Sequence, residues 1–182
     1  MPRDTVSPDK RRIQDAEGDV LSMDDVSGGL QITDALRHEI HESNAFSFGH
    51  IFEDVASSAS AEIYIATGST KYAHIRFEGA AEADAFMYML EGTSVTGDGT
   101  TITAHNRDRG STLEAELTVC HTPTVDDDGS TILAEVLPGG VKGFASDEFI
   151  LDADQTYLLR VTNKGTETKN ISINGIFYEQ PV

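Results

Sequence analysis

From about Thr33 onward, apolar and polar residues alternate in short runs. In AEIYIAT, Ala61, Ile63 and Ile65 fall on one face while Glu62 and Tyr64 fall on the other. YAHIRFE sets Ala73, Ile75 and Phe77 against His74, Arg76 and Glu78. TLEAELTVCH reads as the cleanest case, with Leu113, Ala115, Leu117 and Val119 facing in and Glu114, Glu116, Thr118 and Cys120 facing out. QTYLLRVTN and KNISINGIFYE repeat the theme through Tyr157, Leu159 and Val161, then Ile171, Ile173, Gly175 and Phe177. Successive side chains of an extended chain point to opposite faces, so each run predicts a half-buried strand. Turn signals separate the runs: TGST at Thr67, TGDGT at Thr96, NRDRG at Asn106, DDDGS at Asp126, LPGG at Leu137 and NKG at Asn163.

Two segments carry mixed signals. AAEADAFMYMLEG, from Ala80, is rich in good helix formers, and ITDALRHEIHE, from Ile32, offers Thr33 as a helix cap. The first lies between hairpin-like neighbours and reads as a strand apolar on both faces. The second also reads as a strand at its end. Eight or nine short strands at regular spacing predict an all-β fold, an antiparallel β-sandwich of jelly-roll type, over residues 32–182. No internal repeat stands out.

Residues 1–31 form a separate segment. Large apolar side chains are few, among them Ile13, Val20, Leu21, Met23, Val26 and Leu30, and acids mix with Arg3, Lys10, Arg11 and Arg12. Such a segment buries too little surface alone to offset its conformational entropy, so it reads as an extended arm that docks on a partner.

Charge narrows the partners. There are 31 acidic against 13 basic residues, a formal net charge of −18. Binding a phosphate backbone depends on Lys and Arg releasing counterions, so nucleic acid is a poor partner. Asp supplies 17 of the acids and Lys only five of the bases, spread along the whole chain. That pattern favours a halophilic protein over an ordinary acidic one, since the screening length shrinks to ~3 Å in molar salt. No run approaches the ~20 apolar residues of a membrane span, and no secretory signal is expected. Cys120 is the single cysteine, which excludes an intrachain disulfide framework.

The stretch HEIHESNAFSFGHIFEDVASSASAEIYIATG, from His38 to Gly68, resembles small virion structural proteins of tailed bacterial and archaeal viruses. In those, an HEIHEG-like motif precedes an aromatic strand and an IYIKTG-like strand. The ITAHNRDRGST segment from Ile102, VCHTPTV from Val119, LPGG from Leu137 and DEFILDADQTYLLRVTNKG from Asp147 fit in the same order. The likeness spans roughly His38 to Tyr178 and omits the arm. It departs at Ser43, where glycine is usual, and in its extra acids. The resemblance implies a capsid decoration or turret-type protein, here of a haloarchaeal tailed virus, and brings no catalytic residues.

Candidate chemistry is sparse. HEIH at His38 lacks the i, i+4 histidine spacing of a zinc-protease helix. On a strand, His38 and Glu42 would share a face, able to ligate a divalent ion across a symmetry axis or simply to hydrogen-bond at a subunit contact. Asp126 and Asp128 sit in a DDDG turn that lacks the ligand spacing of a calcium loop and reads as a solvated hairpin tip, with weak cation occupancy as the alternative. Arg107 and Arg109 are either solvated turn residues or contacts to an acidic neighbour. Cys120 and His121 point to opposite faces, no GxSxG elbow exists, and no glycine-rich loop has phosphate-binding spacing. No catalytic residue and no cofactor is expected.

These readings make the protein a non-enzymatic structural component of a virion surface, homo-oligomeric as trimer or pentamer and bound to the major capsid protein or another shell protein. Lys10, Arg11, Arg12, Ile13, Leu21, Val26 and Leu30 are its expected anchor; Phe86, Met87, Tyr88, Met89 and Leu90 are its expected subunit contact. The competing class is a receptor- or carbohydrate-binding module on a fibre or tail. The chain has no Trp and five Tyr, few of the aromatic platforms that sugars stack on.

Overall fold

Alternation in the sequence becomes two antiparallel sheets packed face to face. The computed structural model describes residues 35–140 and 144–182. The order begins α1 (Ala35–His41), β1 (Ala45–Val55), β2 (Ser60–Ala66), β3 (Lys71–Ala81), β4 (Ala85–Glu91), β5 (Ser94–Gly97), β6 (Thr100–Ile102) and β7 (His105–Asn106). It continues β8 (Thr118–His121), β9 (Thr124–Asp127), β10 (Ser130–Leu137), β11 (Phe144–Ala145), β12 (Phe149–Leu151), β13 (Thr156–Asn163) and β14 (Lys169–Pro181).

One sheet runs β11-β3-β14-β1-β7, with β12 also on β3, and the other runs β10-β4-β13-β2-β8-β6. The pairings are nested: β1 with β14, β2 with β13, β3 with β12 and β4 with β10. Between the sheets, Phe46, Phe48, Ile75, Phe77, Ile173 and Phe177 meet Ile63, Ile65, Met87, Met89, Leu159 and Val161 in one core. Each such side chain contributes about 1.5–3 kcal/mol by leaving water. The inward faces expected for the runs at Ala61, Ala73, Tyr157 and Ile171 are all buried.

HEIH is a helix, not a strand. Only the helix lets the chain stop as it does: the Ser43 amide reaches the Ile40 carbonyl at 3.1 Å and the Asn44 amide reaches Glu39 at 2.9 Å. Ser43 is left-handed, φ 62°, the geometry that closes a helix with paired return bonds.

TLEAELTVCH is strand only from Thr118. Leu113 is exposed, whereas Leu117 and Val119 are buried. The amides of Glu116 and Leu117 bond the Glu179 carboxylate at 3.1 and 2.8 Å instead of a neighbouring strand, so the periodicity there has no ladder to join.

The DDDG turn is not a hairpin tip. β9 and β10 do not pair with each other; β9 pairs β5 and β10 pairs β4. The reason is a repeat, V-x-x-D-G-x-T-I-x-A, at residues 95–104 and 125–134. Each copy carries the chain away from a strand of the second sheet (β4 or β8), through β5 or β9, and back as β6 or β10. The returns are exchanged: β6 pairs β8 and β10 pairs β4. Gly99 and Gly129 are equivalent, both with positive φ, and each packs where a Cβ would strike the backbone leading into the other copy. Gly92 and Thr122, also equivalent, are likewise left-handed. The β5–β9 ribbon covers the outer face of the second sheet, laying Val95 and Val125 over Tyr64, Leu90 and Leu158.

Candidate functional site

Three kinds of residue were expected to carry function, and the fold separates them. Residues 1–34 lie outside the described residues, and with them the anchor set Lys10, Arg11, Arg12, Ile13, Leu21, Val26 and Leu30.

His38 and Glu42 no longer share a strand face. His38 sits on α1, largely exposed, 3.8 Å from Glu39, and the Glu42 amide bonds the His38 carbonyl at 3.0 Å. Asp128 is committed elsewhere: both its oxygens accept from the Arg160 guanidinium at 2.6 and 2.7 Å. That forked bond, helped by charge, holds the Asp128 carboxyl below its ordinary value. Arg160 also donates to Glu62 at 2.6 Å, so it pins the ribbon to the second sheet. Asp126 stays exposed on β9. Among the described residues no group of three or more His, Cys, Asp or Glu is placed to hold a metal ion.

Of the expected subunit contact, Met87 and Met89 are fully buried in the core, and Leu90 lies beneath the ribbon. The period-two pleat sends them to opposite faces of β4, and both faces are covered there. Phe86 and Tyr88 keep a surface. Phe86 is paired with Val136 and Tyr88 with Ala134 on β10, where Ile132 and Val136 are exposed and the strand forms a sheet edge. Lys164 Nζ lies 4.8 Å over the Phe86 ring, a cation held on an aromatic face.

Two polar clusters escaped the sequence reading because their members are far apart in the chain. On the outer face of the first sheet, Tyr178 Oη lies 3.0 Å from His74 Nδ1 and 3.2 Å from Glu148, with the two rings stacked at 4.5 Å. Arg76 closes the group 3.5 Å from Glu148. Burial first, then the Glu148 charge, pushes the phenol up to about 12. This favours the neutral phenol, the reverse of what a nucleophilic or basic tyrosine needs. The second cluster joins His50 to His121, whose rings stack 3.9 Å apart. Cys120 does point the other way from His121, under the ribbon, with its sulfur 3.9 Å from Thr101 Oγ1.

Buried asparagines hold the loops. Asn106 Nδ2 donates to the Ser43 carbonyl at 2.7 Å and to that of Leu113 at 3.3 Å, while its Oδ1 accepts the Asp108 amide at 2.9 Å. Arg109 donates to the Asn106 carbonyl at 3.1 Å, so it belongs to the turn itself. Asn163 does the same for the NKG turn, donating to Val55 and Glu167 and accepting from Gly165.

One open groove of about 240 Å³ lies near the end of the first sheet, beside Ile51, Ala80, Glu82 and Asn170. It is smaller than the ~300–1,000 Å³ of a small-molecule site. Glu82 there bonds the Asn170 amide and side chain, at 3.0 and 3.1 Å, which keeps its carboxyl below the ordinary range. No helix among the described residues is long and apolar enough to cross a membrane. No family model matches the chain, and neither does any curated protein or solved structure.

Proposed function

We propose that this protein is a structural component of a virus particle, a homo-oligomeric capsid decoration or turret subunit of a tailed virus adapted to high salt. The observation that carries the reading is where the virion-like motifs fall. HEIHES forms the end of α1 and its left-handed stop, AEIYIATG and YLLRV form the paired centre of the second sheet, and HNRDRG and VTNKG place the loop-holding Asn106 and Asn163. A likeness concentrated at framework positions is what a shared scaffold leaves, whereas a shared reaction would concentrate it around a cluster of reactive groups.

Two further observations support the reading. We read the nested strand pairing as jelly-roll-like, an architecture that viral capsid and lectin domains share. The exposed β4–β10 face, with Phe86, Tyr88, Ile132 and Val136, offers apolar surface for a neighbouring subunit. In this reading residues 1–30 anchor the subunit to the shell, Lys10, Arg11 and Arg12 pairing with acidic neighbours.

Deleting residues 1–30 tests the assignment. The remaining domain is expected to keep its strand content by circular dichroism and to lose binding to particles. Full occupancy on particles after deletion moves the anchor into the sandwich; absence of the full-length chain from purified particles ends the virion reading.

A further inference from the structure

β1 turns Phe46, Phe48, His50 and Phe52 toward the interior in strict alternation, and β8 turns Val119 and His121 inward from the opposite sheet. Each apolar row therefore includes one imidazole. Their planes lie 15° apart with centroids at 3.9 Å, one ring from each sheet. Phe52 stands edge-on to both, at 4.7 Å from His50 and 6.1 Å from His121. We propose that His50 and His121 form an acid-sensitive clasp between the two sheets, closed while at most one ring is protonated and opened when both are.

The surroundings leave the pair to govern itself. Opposite His50 on β14 stands Ile173, flanked by Ser172 and Asn174. On its own strand, Glu53 and Asp54 follow and are exposed. Opposite His121 stand Ile63 on β2 and Thr100 on β6. The next acid on β2, Glu62, is held by Arg160, and Asp98, before β6, bears on Tyr64. Among the described residues the histidines in ion pairs are His38 and His74, so no carboxylate lies within ion-pair distance of either ring of the clasp. The near polar partner of His121 is Thr122 Oγ1, 3.1 Å from Nδ1.

Burial, and then the charge of His121, hold His50 below the ordinary imidazole value of 6.5. The fold thus favours neutral His50. Its contribution is complete above pH 6.5 and is lost as pH falls through the lowered folded-state value. Two charged rings at stacking distance, partly withdrawn from water, repel each other, and the interface they share is the one between β1 and β8. The inference does not depend on the virion reading.

Hydrogen–deuterium exchange on the full chain tests it, at constant ionic strength, at about pH 7.5 and about pH 5. After correction for intrinsic rates, peptides covering residues 46–52 and 118–122 are expected to exchange about tenfold faster in acid, while β3–β14 peptides hold. His121→Phe keeps a ring against His50 and removes the second charge, so it is expected to weaken the acid response and to raise the His50 midpoint in a proton NMR titration. The same acid response in wild type and variant overturns the clasp. If H121F does not fold, the wild-type titration decides: an ordinary His50 midpoint overturns it, and a lowered one supports it.

Discussion

Ser43 Oγ donates to the Asp108 carboxylate at 2.8 Å, tying the stop of α1 to the turn that follows β7. Ser43 is also left-handed, φ 62°, a conformation that glycine adopts without steric cost. The hydroxyl thus offsets a backbone conformation that a side chain resists. Replacing it separates the two effects. Ser43→Ala keeps the strain and loses the bond, so a cost of about 1–2 kcal/mol is expected. Ser43→Gly loses the bond but relieves the strain, and is expected to be the more stable of the two by urea denaturation. The same bond is the first cause holding the Asp108 carboxyl below 3.8, so its contribution is present above that pH and fades as acid protonates it.

Glu179 is buried, 3% exposed, and binds Lys71 Nζ at 3.0 Å together with the amides of Glu116 and Leu117. Glu179→Ala strands two amides and a half-buried ammonium, with an expected loss of about 3–5 kcal/mol. Glu179→Gln retains shape and one acceptor, and is expected to cost roughly half as much. Equal stability of E179A and wild type in chemical denaturation would sink this account of residues 111–117.

The repeated arches predict opposite outcomes at neighbouring positions. Gly129→Ala places a Cβ against the Glu91 carbonyl in a left-handed backbone, and a loss above about 1 kcal/mol is expected. Thr122 sits at φ 55° where its counterpart is Gly92, so Thr122→Gly is expected to stabilise by up to about 1 kcal/mol. Thermal melts of both variants check the pairing of the two copies.

Tyr157 and Tyr178 are both pushed up to about 12, by burial first. A raised phenol favours the neutral form in the fold. The stability it supplies is complete below the ordinary value of 10.0 and is lost as pH rises toward about 12. Ultraviolet difference titration should show these two ionising only as the protein unfolds in alkali; early, reversible ionisation of all five tyrosines would refute the burial argument.

A net charge of −18 predicts a steep rise in melting temperature between low and multimolar salt. Unscreened carboxylates repel over ~10 Å at 0.1 M and over ~3 Å at 1 M. A flat response would show that the acids serve another purpose.

The all-β fold and most inward faces were legible in the chain because a strand buried on one face must alternate: Ile63 and Ile65, Ile75 and Phe77, Leu159 and Val161 could be assigned from spacing alone. Spacing failed where side chains replaced a partner strand. Residues 111–117 alternate like a strand, yet a carboxylate sixty-odd positions away takes the amides of Glu116 and Leu117. HEIH, expected as a strand end, is made a helix by local return bonds. The repeat at residues 95–104 and 125–134 was present in the letters, and its meaning was not, because which arch pairs with which strand is decided by long-range register. His50 and His121 show the same limit most plainly. Neither carries a motif, and only the packing of one sheet on the other brings their rings to 3.9 Å, where the charge of one bears on the other.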